Sequence, residues 1–156
     1  MDTNGQAARF LADCQRCGAP TEGWVAQVVR DGRLRWEVDL QCSACGLASC
    51  DWGWEPAAAW VRDELLARHG PRRLELVDPE ARGGHVLKAF RDGLGFSLGE
   101  AQRAARTLRR SGYEATYAEA RLVADLLGRA GIDSTLGPAD TLPPNRTAVP
   151  FVTGDQ

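Results

Sequence analysis

An α+β fold built as two modules is what this sequence predicts. Three observations carry that reading: two Cys-x-x-Cys pairs bracket a hairpin signal, one amphipathic helix follows them, and the second half mixes helical periodicity with short β-type runs. At 156 residues and 44% hydrophobic content, the chain has the size and composition of a globular protein of one ordinary or two small domains. The expected division is 1–70 for the cysteine-bearing sheet with its helix, 71–136 for the second module, and 137–156 for a Pro-rich flexible tail.

The elements follow in chain order. Trp24 to Arg30 and Arg33 to Gln41 are β-type runs separated by Asp31-Gly32, the dipeptide suited to a type I′ turn. In the second run Leu34, Trp36, Val38 and Leu40 alternate with polar residues, which predicts one buried face. Leu47 to Trp52 is expected to form a third strand. Glu55-Pro56 should open a helix that Gly70-Pro71 closes, with Trp60, Val61, Glu64, Leu65 and Arg68 on one side. Pro71-Arg72-Arg73 marks the expected boundary, because all five tryptophans precede it. Beyond it the sequence predicts a strand at Leu74 to Val77, helices near 85–92, 98–110 and 117–130, and a last strand at Ile132 to Leu136, with a further short strand near Tyr113 to Thr116. From Gly137 the prolines forbid regular structure, although Ala148 to Val152 is apolar enough to dock.

Cys14-Gln15-Arg16-Cys17-Gly18 and Cys42-Ser43-Ala44-Cys45-Gly46 are the strongest chemical signal. Two thiolates separated by two residues in a tight turn can present both sulfurs to one ion, and a glycine after each pair permits the backbone that aims amides at sulfur. The hairpin between them returns the chain to the same point. This pattern resembles the zinc-ribbon family, and it predicts one structural Zn²⁺ on Cys14, Cys17, Cys42 and Cys45, with no open position for catalysis. Thiol redox chemistry is the alternative. Cys50 is expected to be a small buried residue of the third strand, and His69 a charge at a helix C-terminus rather than a ligand. Several of Trp24, Trp36, Trp52, Trp54 and Trp60 should fill the small core, leaving Trp52 or Trp54 exposed as an interface anchor.

In the second half, Gly93-Leu94-Gly95-Phe96-Ser97-Leu98-Gly99 is a poor dinucleotide fingerprint, since its third glycine falls one residue late and a helix precedes it. The longer string Val86-Leu87-Lys88-Ala89-Phe90-Arg91, then Gly95-Phe96-Ser97-Leu98-Gly99-Glu100-Ala101, then Tyr117-Ala118-Glu119-Ala120 to Ala130-Gly131, resembles the C-terminal domain of the bacterial ribosomal stalk protein. That resemblance covers about 74–136. It implies a β-α-α-β-α-β fold and a protein-docking surface on the first two helices, where Lys88 and Arg91 match two of the family's basic positions. The family's other lysines fall here at Gly84, Gly99 and Gln102. Arg103, Arg106, Arg109 and Arg110 add a basic stripe on the second helix.

Net charge is −2, and holding a dication with four thiolates makes the balance more acidic still, which argues against a general polyanion binder. The chain shows no apolar window of membrane-spanning length and no export signal at its N-terminus, so a cytoplasmic location is expected. No nucleophile–base pair and no metal–carboxylate cluster is evident. The expectation is a non-enzymatic, zinc-binding protein-interaction adaptor, with an immunity or antitoxin-type or regulatory binding protein as one version. Its partner surface would include Trp52, Trp54, Lys88, Arg91, Arg103, Arg106 and Arg110. The alternative is a nucleic-acid or ribosome-associated factor that uses the ribbon and the Arg-rich helix.

Overall fold

The computed structural model describes residues 5–54, 56–81 and 83–138. Four strands come first: β1 (Gly5–Asp13), β2 (Pro20–Arg30), β3 (Arg33–Gln41) and β4 (Ala48–Trp54), which form one antiparallel sheet in chain order. Asp31 and Gly32 join β2 to β3 with φ of 53° and 72°, the paired positive values of the expected turn. β1 was not anticipated. Its Gly5–Asp13 run buries only Ala8 and half-buries Phe10, so the period-two signal is too weak to separate it from a polar N-terminus.

Helix α1 (Ala59–His69) lies on the inner face of this sheet, burying Val61 and Leu65 against Ala8 and Val25. It starts later than expected. Ala58 occupies the cap position in an extended conformation and has no side chain to satisfy the first amides, while Pro56 stays outside the helix and Glu55 lies outside the described residues. Gly70 ends it, donating its amide to the Leu66 carbonyl.

The rest of the chain runs β5 (Arg72–Leu76), α2 (Gly83–Leu94), α3 (Leu98–Ser111), β6 (Tyr113–Ala115), α4 (Tyr117–Arg129) and β7 (Ser134–Pro138). Its three strands form a second antiparallel sheet in the order β6-β5-β7. The last strand begins two residues later than the sequence suggests and includes Gly137 and Pro138. A proline is tolerable there because β7 is an edge strand, where a missing amide need not break a ladder bond. The expected tail from 139, including its apolar stretch at 148–152, lies outside the described residues. No helix among the described residues is long and apolar enough to cross a membrane.

Serine and threonine fix two helix starts. Ser97 opens α3 and Thr116 opens α4, each in a reciprocal capping box with the glutamate three residues on, Glu100 and Glu119. The amide and hydroxyl of Ser97 hold the Glu100 carboxyl below its ordinary range. What that bond adds is therefore present above the ordinary glutamate value and is lost as pH falls through the lowered one. Ser97→Ala is expected to cost about 1 kcal/mol in urea unfolding, with no change in metal content.

Buried apolar side chains gather in two clusters. The smaller holds Ala8, Val25, Val61 and Leu65, with Phe10, Trp36, Val38 and Ala57 at its margin. The larger centres on Phe90, Leu74, Leu122, Val123 and Leu127, yet it also takes in Leu34 from β3 and, partly buried, Val29 from β2. The hairpin end of the first sheet is thus seated in the core of the second half.

A buried polar network strengthens that joint. Thr116 Oγ1 donates to Gln27 Oε1 at 2.5 Å, Gln27 Nε2 donates to Glu119 Oε1 at 3.4 Å, and Arg62 Nε donates to both Glu119 oxygens at 2.8 and 3.0 Å. β2, α1 and α4 are tied at one point by groups that leave no member of the set unsatisfied.

The tryptophans depart from expectation. None of the five is buried: Trp24, Trp52 and Trp60 are 51%, 49% and 44% exposed, and Trp36 and Trp54 are half-buried. The reason lies in strand phase. β2 and β4 point Trp24, Trp52 and Trp54 to the outer face of the sheet, and no described element covers that face.

Candidate metal centre

The antiparallel register brings the two cysteine turns together. Residues 14–19 connect β1 to β2, and residues 42–47 connect β3 to β4. Because Glu22 of β2 pairs with Gln41 of β3, both turns project from the same end of the sheet. Thr21 Oγ1 donates to the Gln41 carbonyl at 2.7 Å and fixes the spacing between them.

The turns are near copies of each other. In the first, Cys14 N donates to Ala19 O and Gly18 N to Cys14 O, both at 2.8 Å; in the second, Cys42 N donates to Leu47 O at 2.8 Å and Gly46 N to Cys42 O at 2.9 Å. Gly18 and Gly46 sit at φ of 74° and 76°, a region that a residue with a Cβ enters only at a cost. That conformation folds the turn around its sulfurs, and Arg16 N lies 3.4 Å from Cys14 Sγ.

The four sulfurs converge. Cys14 Sγ is 3.7 Å from Cys45 Sγ, Cys17 Sγ is 3.7 Å from Cys42 Sγ, and all four lie within 4.8 Å of one another. A tetrahedral ion with metal–sulfur bonds near 2.3 Å requires sulfur separations of about 3.8 Å. The spacing is far too long for a disulfide, whose sulfurs approach to about 2.05 Å. Cys14 and Cys42 are buried, Cys45 is half-buried and Cys17 is exposed, so the cluster caps the sheet end with one side towards solvent.

Electrostatics favour a cation at that point. Amides of Cys17 and Arg16 bring the Cys14 thiol down to about 6, and amides of Cys45 and Ala44 lower Cys42 as well. Cys17 also receives an amide bond from Ala19, but desolvation and the three neighbouring sulfurs push it up to about 11. Four thiolates this close repel one another, and a dication at their centre removes that repulsion. The cluster can therefore hold a metal ion such as zinc, in a closed, zinc-ribbon-like site.

Other candidate residues lie elsewhere. Cys50, expected to be buried, is exposed on the outer face of β4, where Asp39 beside it pushes its thiol up. β4 is an edge strand exposed in both phases from Ala48 to Trp52, and Cys50 is open with Trp52. His69, at the end of α1, sits with Nε2 2.7 Å from the Ala7 carbonyl and so ties the helix to β1.

Trp52 and Trp54 meet edge to face with centroids 6.4 Å apart. Guanidinium groups lie over them, Arg35 at 4.1 Å from the Trp52 centroid and Arg33 at 4.6 Å from that of Trp54. Lys88 and Arg91 are exposed on α2, with Lys88 bonded to Asp92 at 2.6 Å. Arg103, Arg106 and Arg110 are exposed along α3, whereas Arg109 donates to the Ala81 carbonyl. β4 packs on β3, whereas α3 packs on α2, β5 and β6, and α2 packs on α3 and α4 and touches β3.

Two features were missed from sequence. Trp24 shares the outer face with Trp52 and Trp54, and the alternation of Trp24, Ala26 and Val28 with Val25, Gln27 and Val29 could have shown it. The Arg62–Glu119 pair joins residues 57 apart and leaves no sequence signal. No protein-family model, curated protein or solved structure matches this chain.

Proposed function

We propose that this chain is a non-enzymatic protein-binding adaptor whose first sheet is braced by a structural Zn²⁺ on Cys14, Cys17, Cys42 and Cys45. Zinc is preferred because an all-thiolate tetrahedron suits a borderline-soft ion without geometric demands of its own. The observation that carries the binding role is the outer sheet face. Trp24, Trp52 and Trp54 stand there uncovered by any described element, with Arg9 over Trp24 and Arg33 and Arg35 over the other two. Tryptophan and arginine dominate the energetics of protein interfaces, and rings held by guanidinium groups lose little freedom when a partner covers them.

The second module supplies another contact region. Its β-α-α-β-α-β order and the Gly95 to Ala101 turn support the stalk-domain resemblance, and Lys88, Arg91, Arg103, Arg106 and Arg110 are exposed cations on the corresponding helices. A cytoplasmic protein that occupies or regulates another, as an immunity or antitoxin protein does, is one concrete form of this reading.

Capture with the full zinc-loaded chain tests it. Trp54→Ala combined with Arg91→Ala is expected to lose the captured partner while retaining metal and fold; an unchanged partner contradicts the proposal. The exposed arginines of α3 favour the alternative, a nucleic-acid or ribosome-associated factor. Binding to RNA or single-stranded DNA that falls steeply with salt would select that reading, and no binding at low salt would remove it.

A further inference from the structure

The outer face of the first sheet carries an ordered pattern of charge. Strand register places Asp13 and Pro20 in the row nearest the cysteine turns, Leu11, Glu22 and Gln41 in the next, and Arg9, Trp24, Asp39 and Cys50 in the one after. Glu37 and Trp52 follow, then Val28, Arg35 and Trp54, and at the far end Arg30 pairs with Arg33. Four of these charges are neutralised within the chain as two pairs, since Arg9 bonds Glu22 and Arg35 bonds Glu37. What remains is Asp13 and Asp39 towards the cysteine turns and, at the hairpin end, Arg30 with Arg33, whose two charges the single Asp31 of the turn only partly offsets. Four thiolates around one dication add further negative charge at the acidic end. The face is thus bipolar along its strands, with tryptophans between the poles.

A bipolar face is complementary to itself when two copies meet antiparallel. We infer that the partner seated on this face is a second copy of the chain, stacked sheet to sheet about a two-fold axis. This rests on the reading of the same face as a protein-binding surface. Arg30 and Arg33 of one copy then lie over the acidic end of the other, and Trp24 and Trp52 of both are buried in the middle.

The dimensions allow it. Strands of seven to eleven residues, at roughly 3.3 Å per residue and about 4.8 Å between strands, give a footprint on the order of 500 Å² per copy. The total of about 1,000 Å² is the lower end for a specific interface, so the dimer is reversible. Pairing through the β4 edge is the less favoured geometry, because Asp51 Oδ1 already accepts the Trp52 amide at 2.9 Å and blunts that edge.

Sedimentation equilibrium of the full zinc-loaded chain, from low micromolar to submillimolar concentration, tests the inference. The expected result is a monomer–dimer equilibrium that weakens with salt. Trp52→Ala should raise the dissociation constant by at least about tenfold. Arg30→Glu and Asp39→Arg should each weaken the dimer, and the chain carrying both should recover part of the loss, because opposite charges again meet at those two positions across the two-fold axis. Circular dichroism and zinc content confirm that each variant is folded. A chain that stays monomeric throughout overturns the inference, and so does a dimer indifferent to Trp52→Ala or one in which the double exchange recovers none of the loss. A monomer that still loses its captured partner on Trp54→Ala would overturn self-association while leaving the adaptor reading in place. Unchanged capture alongside a dimer would do the reverse.

Discussion

Cys42→Ser is expected to yield a chain that retains no metal through gel filtration and whose first sheet opens at the end nearest the cysteine turns. Cys42 is 1% exposed and directly follows β3, so it is the inner ligand of the second turn. A serine hydroxyl keeps the size but cannot supply a thiolate. Loss of a ligand itself should lower affinity by more than the roughly 10–100-fold that follows loss of an outer-shell partner. The structural effect is large because little else holds that end. Among the described residues, Ala8, Val25, Val61 and Leu65 make up the buried apolar cluster under the first sheet, too small to close four strands without a staple.

The opening should be confined. Leu34 and the Gln27 network fasten the other end of the same sheet to the second half, so hydrogen exchange should quicken in residues 12–21 and 40–49 while α2, α3 and α4 keep their protection. A variant with full zinc content and an unchanged melting temperature would contradict this. Cys50→Ser serves as the control and is expected to change neither property, since Cys50 is exposed on the outer face.

The second large effect concerns Glu119. Its carboxylate, 9% exposed, accepts from Arg62, Gln27 and the Thr116 amide. Removing it strands a guanidinium, orphans one buried amide group and deletes half of a capping box. Breaking a buried pair by removing one partner costs roughly 3–5 kcal/mol. The Arg62 side chain is 36% exposed and keeps part of its hydration, so the lower end applies. Glu119→Ala should therefore lose about 3 kcal/mol in urea unfolding, and Arg62→Ala less. The double variant should cost less than the sum, because it leaves no uncompensated charge. Additive effects would show that the two groups stabilise the chain independently.

How much of this was readable in advance depends on whether the signal is local. The cysteine turns were legible because spacing, glycine position and the Asp31-Gly32 hairpin are all set within a few residues. Helices α3 and α4 were legible for a similar reason: Ser97 with Glu100 and Thr116 with Glu119 mark their starts, and Ala101, Ala104, Ala105 and Leu108 repeat at helical spacing on the buried side of α3. β1 was not, because its small side chains make a weak alternation, and pairing with β2 decides its structure.

The tryptophans show a different limit. Their bulk suggests a core, but in a strand the phase decides the face, and Val25 and Gln27 take the inner positions that exclude Trp24. Trp52 and Cys50 are exposed because β4 is an edge strand, open from Ala48 to Trp52 in both phases. The contact of Leu34 with the second core, and the Arg62–Glu119 pair, are properties of how distant segments meet. No window of sequence contains both partners.

Zinc at the shared end of the first sheet is the premise of the whole account, and intact-mass measurement of the purified chain under non-denaturing conditions tests it most directly. The expected result is the polypeptide mass plus one zinc ion, less the protons that the thiols give up, with the increment lost in acid and absent from Cys42→Ser. The bare polypeptide mass from protein prepared without chelator would contradict it.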